Sequence, residues 1–202
     1  MNYNSERLRD GLYIMCRGDL VGLVGTVGMY LISALNGGGL LTIFVRGILS
    51  LLCQLASLVG LVVSLVGHFK LCREHRDYKI AFILVVVGPL LSLLGICVPA
   101  GMRWSISIVL LVYSPIYMFL LVRATNYFLA QRERTDLVKQ GGRSLVICVG
   151  CFVASNILNR LINRLGDRLG VLTVLMGVIS LLTIVNTCVK LRYLRKSADA
   201  LR

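Results

Sequence analysis

The sequence has few charged residues, and acidic ones are especially scarce. Only 15% of the 202 residues are charged, with 9 Asp and Glu against 22 Lys and Arg, while 57% are hydrophobic. Soluble domains carry about 25% charged residues. This shortage excludes an ordinary soluble domain and indicates a protein whose surface is covered largely by lipid.

The long apolar runs of the sequence contain no Asp or Glu. Cation-coupled transporters generally use such a residue as ion ligand or proton relay, so this class is disfavoured. The sequence also shows no nucleophile beside a base and no paired carboxylates. We therefore expect no catalytic residues, and an enzyme is the least supported class of function.

The seven cysteines indicate neither a disulfide framework nor a metal site. Their number is odd, and most of them fall inside apolar runs, where free cysteine behaves as a small packing residue. The alternative is a redox or metal motif at Cys148 and Cys151, but no second pair exists. His68 and His75 are too sparse for a tetrahedral site. We expect no metal and no cofactor.

Six apolar runs predict an all-α integral membrane protein with six transmembrane helices, since about 20 apolar residues cross a bilayer. The runs cover residues 20–35, 40–69, 80–98, 104–122, 144–158 with an extension to about 162, and 169–189. The first is interpreted as an uncleaved span rather than a signal peptide, because its leading segment is long and charged. The fifth is short and is the uncertain span.

Basic residues predict which side of the membrane each loop occupies. One set of segments is rich in Lys and Arg, whereas the alternate segments carry only Arg103, Arg160, Arg164 and Arg168. By the positive-inside rule, both termini are cytoplasmic, and we expect a multi-pass protein of a bacterial cytoplasmic membrane. The net charge of +13 sits in short clusters, which favours anionic lipid over nucleic acid as partner.

Two domains are expected. Residues 1–17 predict an amphipathic helix on the membrane surface, capped by Ser5 with Leu8, Leu12 and Met15 on one face. Residues 18–202 form a single transmembrane domain. Between the fourth and fifth spans, residues 131–143 predict a helix extension that ends in a turn at Gly141-Gly142.

Small residues predict how the helices pack, because membrane helices associate through close backbone approach. In the second run they alternate at spacings of three and four, which favours left-handed packing. They fall at Ser50, Cys53, Ser57, Gly60, Ser64 and Gly67. A similar series in the sixth run suggests three helical-hairpin pseudo-repeats, at about 18–79, 80–143 and 144–202.

Arg46 is the charged residue that lies furthest inside an apolar run, and it leads the candidate binding residues. The simplest interpretation is that it extends to the membrane surface. The alternative is that it faces the bundle and joins Gln54, Asn156 and Asn159 in a site for an anion or lipid phosphate, since guanidinium binds oxygen anions in a bidentate manner.

These patterns favour a non-catalytic accessory, scaffold or interaction module of the membrane. The alternative is a small passive transporter or channel for an anionic or neutral solute or lipid. Expected partners are the lipid bilayer, anionic lipid at the basic face, and another membrane protein or a second copy of the chain.

Overall fold

The computed structural model describes residues 5–34, 40–97, 100–165 and 169–201. All of these segments are α-helical apart from short turns. In chain order the helices are α1 (Ser5–Ala34), α2 (Leu40–Leu71), α3 (Arg76–Cys97), α4 (Ala100–Gln131), α5 (Thr135–Leu165) and α6 (Leu169–Ala200).

Each helix contains one of the six apolar runs. Among the described residues, four stretches are long and apolar enough to cross a membrane, namely Ser5–Ile32, Ile43–Leu71, Thr135–Ile162 and Val174–Ala200. The prediction of an all-α protein of membrane type is therefore confirmed. The six spans, the three pseudo-repeats and the side of the membrane stay predictions.

The helices form a ring. Each one packs on the next in sequence, α6 packs back on α1, and α4 also touches α6. The start of α1 and the end of α6 lie at the same end of this ring, which we call the terminal end. There Arg7 contacts Glu74 of the α2–α3 connection at 3.6 Å, and the Tyr13 hydroxyl donates to Asp199.

The main apolar core lies at the terminal end and not in the middle of the helices. It includes Leu8, Leu12 and Met15 of α1, each fully buried, packed with Leu71 and Leu194 among others. The middle stretches of the helices expose large apolar side chains instead, as expected of surfaces that face lipid.

The segment predicted to be a separate N-terminal helix, residues 1–17, differs from the prediction over its described part; residues 1–4 lie outside the described residues. Residues 5–17 are not a separate surface helix but the first half of α1, which runs unbroken to Ala34. The apolar face of Leu8, Leu12 and Met15 is covered by protein rather than by lipid. The amphipathic pattern identified the buried face correctly, but a pattern alone does not say what covers it.

The connection between α4 and α5 also differs from the prediction. The turn lies at residues 132–134, with Glu133 in the left-handed region (φ 57°), and α5 begins at Thr135. Gly141 therefore lies inside a helix rather than in a turn. A Cβ there would approach Asn126 Oδ1 to 2.6 Å, so glycine serves close packing at this position.

The closest helix pair is α1 and α2, which meet through glycine. A Cβ on Gly18 would lie 2.3 Å from the Ser64 nitrogen, and one on Gly60 would lie 2.4 Å from the Gly22 nitrogen. The small residues of α2 therefore face a neighbour, as predicted. The corresponding series in α6 differs, because a Cβ on Gly177 would meet nothing within 4 Å.

Candidate functional site

A partly open cavity with both polar and apolar lining lies inside the helix ring, on the side of the apolar core that faces away from the terminal end. Its volume is about 440 Å³, and side chains of α1, α2, α3, α4 and α6 line it. This volume is in the range of small-molecule sites, roughly 300–1,000 Å³. On one wall, Tyr113 of α4 lies over Gly88 of α3 and donates its hydroxyl hydrogen to the Leu84 carbonyl.

An ion pair occupies the end of the cavity nearest the apolar core. Lys190 Nζ of α6 lies 2.7 Å from Asp19 Oδ2 of α1, and each side chain is only 15% exposed. A buried charge is tolerated where an opposite charge or hydrogen bonds compensate it. The two charges therefore hold each other in place, and the pair ties the first helix to the last.

Hydrogen bonds join this ion pair into a closed circuit with α2 and α4. Ser64 Oγ donates to Asp19 Oδ1 (2.9 Å), and Lys190 Nζ donates to the Tyr117 hydroxyl oxygen (3.2 Å). His68 completes the circuit, with Nδ1 2.7 Å from the Ser64 carbonyl oxygen and Nε2 2.8 Å from the Tyr117 hydroxyl.

The tautomer of His68 follows from these partners. A carbonyl oxygen only accepts, so Nδ1 carries the hydrogen and Nε2 of the neutral ring accepts from Tyr117. The circuit of Asp19, Lys190, Tyr117, His68 and Ser64 therefore holds one positive charge and one negative charge. Lys190 donates at one end, Asp19 accepts at the other, and Tyr117, His68 and Ser64 relay hydrogen bonds between them.

Part of the remaining polar lining presents hydrogen-bond acceptors to the cavity. Four hydroxyl groups donate their hydrogens to backbone carbonyls one turn earlier, at 2.9–3.0 Å; they belong to Thr26, Ser57, Thr183 and Thr187. Their oxygens keep free lone pairs. Asn186 Oδ1 is buried and accepts no hydrogen bond from any described residue. Asn186 also lines the cavity, one turn from Lys190.

Comparison with known proteins identifies no relative of this chain. No protein-family model, curated protein or solved structure matches the chain. We therefore infer the function of the chain from the cavity and its residues.

The structure does not bring the four sequence-predicted site residues together. Arg46 and Gln54 are exposed on α2, and Asn159 is exposed on α5. Asn156 is half-buried and donates Nδ2 to the Phe152 carbonyl of its own helix (2.9 Å). Within the described ranges, α2 and α5 do not pack against each other. The predicted anion site thus has no common surface.

Sequence reasoning missed the ion pair, because both residues adjoin the ends of apolar runs. Asp19 directly precedes the first run, and Lys190 directly follows the sixth. The structure places Asp19 fourteen residues inside α1, so an acidic residue lies on the same helix as the first apolar run. One signal was available, since Lys190 follows Thr187 by three residues and so continues the polar face of α6.

Cys148 packs as predicted for a buried thiol. It is 2% exposed, and its Sγ lies 3.6 Å from the Asn186 carbonyl oxygen. His68 belongs to the circuit described above, while His75 lies near Asp77 at 3.9 Å. Within the described residues, no group of three His, Cys, Asp or Glu side chains is placed to hold a metal ion.

Proposed function

We propose that this chain is a membrane transporter for a small polar solute, and that the central cavity is its solute site. The proposal includes six transmembrane helices with both termini in the cytoplasm of a bacterial cell. The observation that carries it is a partly open cavity, lined in part by hydroxyl groups, between helices whose outer surfaces are apolar.

The depth of the cavity supports this function. Lys190 lies 21 residues after the start of α6, which corresponds to about 31 Å of helix, close to the thickness of a hydrocarbon core of about 30 Å. The ion pair would then lie at the inner boundary of the membrane and the cavity within it. Polar groups at such depth are costly and are kept mainly for function.

The apolar core supplies a closed gate in this proposal. Leu12, Met15 and Leu71 lie between the ion pair and the terminal end, and all three are fully buried. Release of solute to the cytoplasm would require the helices to separate there, beginning with the contact of α1 and α6 at Asp19 and Lys190. The accessory role remains the alternative, but no feature of the cavity favours it.

Two glycine variants test this function. A Cβ on Gly22, which lines the cavity, meets nothing within 4 Å, and so the side chain of Gly22→Phe has open space to enter the cavity. Gly150→Phe is the matched control, because Gly150 is exposed on α5 and is equally unobstructed. Proteoliposomes would be exposed to gradients of small polar solutes, and swelling would be followed by light scattering.

We expect wild type and Gly150→Phe to accelerate the entry of at least one solute, and Gly22→Phe to abolish this effect. If the two variants conduct equally, or if wild type does not exceed empty vesicles for any small polar solute, the transport function is wrong.

A second groove supports anionic lipid as a partner. It lies between α1 and α6 at the terminal end, has a volume of about 600 Å³, and combines apolar side chains with four exposed cations. The cations are Arg17, Arg192, Arg195 and Lys196. Basic pockets on the cytoplasmic side of membrane helices suit lipid phosphates. We propose that an anionic lipid of the inner leaflet binds here.

A further inference from the structure

We propose that the solute of the central cavity is a small zwitterion that carries a primary ammonium group and a carboxylate, as a neutral amino acid does. This inference rests on the proposed function and names its substrate class. Three independent features of the cavity support it, namely its charge balance, the direction of its hydrogen bonds and an unsatisfied amide oxygen.

The charge balance disfavours a solute with net charge. The lining holds one anion, Asp19, and one cation, Lys190, paired at 2.7 Å. A solute cation that engaged Asp19 would leave Lys190 without its partner, and a solute anion that engaged Lys190 would strand Asp19. A buried charge without a partner is strongly unfavourable. A zwitterion supplies both partners at once, so it can separate the pair without leaving either charge uncompensated.

The direction of the hydrogen bonds requires a solute that donates. The hydroxyl hydrogens of Thr26, Ser57, Thr183 and Thr187 are committed to backbone carbonyls, so these side chains offer oxygen lone pairs to the cavity. An ammonium group has three N–H donors and no acceptor, which is the complement of such a surface.

Asn186 Oδ1 is the acceptor that would bind the ammonium group of the solute. It is a buried acceptor with no donor among the described residues, and an unsatisfied buried polar atom is unfavourable. Asn186 precedes Lys190 by four residues, so the two side chains share one face of α6 about 6 Å apart along the helix. An ammonium group beside Asn186 and a carboxylate beside Lys190 match the short separation of these groups in an α-amino acid.

The test uses four small hydroxyl-bearing probes that differ in charge. They are L-serine, which is a zwitterion; ethanolamine, a cation; glycerate, an anion; and glycerol, which is neutral. Binding to the purified full chain in lipid nanodiscs would be measured by isothermal titration calorimetry. We expect L-serine to bind about tenfold or more tightly than each of the others, equivalent to about 1.4 kcal/mol.

Two charge variants distinguish a change in solute preference from a loss of folding. In Lys190→Gln the remaining Asp19 leaves the site one negative charge, so ethanolamine becomes the preferred probe. In Asp19→Asn the remaining Lys190 makes glycerate preferred. Asn186→Leu lowers binding of L-serine about tenfold, because it removes the acceptor for the ammonium group. A gain of binding for a new probe cannot come from misfolding.

The outcomes separate this inference from the transport function. Tighter binding of ethanolamine, glycerate or glycerol than L-serine to wild type, no binding of any probe, or unchanged preference in both charge variants overturns the zwitterion class. If wild type admits glycerol to vesicles and Gly22→Phe does not, while L-serine does not bind, the transport function stands and the inference fails. If L-serine binds with the expected variant pattern but does not enter vesicles, the inference stands and transport fails.

Discussion

Replacing Asp19 with Asn and Lys190 with Met, singly and together, measures how strongly the ion pair holds α1 to α6. Asp19→Asn keeps an acceptor for Ser64 but leaves the ammonium of Lys190 without a counter-charge. Lys190→Met keeps an unbranched side chain one atom shorter, but it leaves the carboxylate of Asp19 with Ser64 as its remaining donor. The double variant leaves neither charge.

The magnitude follows from the burial of the pair. Because each side chain is only 15% exposed, a single replacement is expected to cost about 3 kcal/mol, as for other buried ion pairs that lose one partner. The double variant should cost no more than either single variant, since no charge is left unpaired. The coupling energy is therefore expected to be at least about 3 kcal/mol.

The assay is reversible unfolding by SDS in mixed detergent micelles, followed by circular dichroism. The control is the ion pair of Arg134 and Asp136, which has a distance of 3.3 Å but side chains that are 46% and 66% exposed. Exposed pairs couple by at most about 1 kcal/mol. Equal coupling energies for the two pairs would show that the Asp19–Lys190 contact is as solvated as a surface pair, and would refute the buried circuit.

Two further predictions concern helix packing and lipid. Gly18→Leu should destabilise the protein by more than about 3 kcal/mol in the same unfolding assay, because its Cβ would lie 2.3 Å from the Ser64 backbone nitrogen. Gly150→Leu, the control, should be nearly neutral. Equal stability of the two variants would contradict the tight packing of α1 on α2. Arg192→Gln with Arg195→Gln should lower the affinity for phosphatidylglycerol, measured by thermal stabilisation, about fivefold per residue. Arg132→Gln with Arg134→Gln, at the same end but outside the groove, should leave that affinity unchanged. An equal effect of both pairs would mean general attraction to a basic surface.

The sequence predicted the helices well because the apolar runs are long and separated by charge. It located the start of α2 at residue 40 and that of α6 at residue 169, as the structure has them. It underestimated the helices at the terminal end, where α1 begins at Ser5 and α6 continues to Ala200. An apolar run ends where contact with lipid ends, whereas the helix continues as long as one face finds a protein core.

The candidate site was predictable only in part. The small-residue series of α2 correctly indicated a close neighbour, but spacing along one helix does not identify the partner helix. Arg46 was predicted to bind an anion because it interrupts an apolar run, yet its side chain is exposed on α2. The ion pair was missed because Asp19 and Lys190 are 171 positions apart, and their meeting depends on α6 closing the ring on α1. Nothing local in the sequence encodes that contact.

The central claim is that water and polar solutes reach the cavity while the outer surface of the helices faces lipid. Single cysteines introduced as Thr183→Cys, which lines the cavity, and as Val62→Cys, which is exposed on the apolar surface of α2, test it in a background without the native cysteines. A small cationic methanethiosulfonate would be applied to intact proteoliposomes. We expect rapid labelling at position 183 and none at position 62, with both reactive after denaturation in SDS; no labelling at position 183, or faster labelling at position 62, would contradict the account.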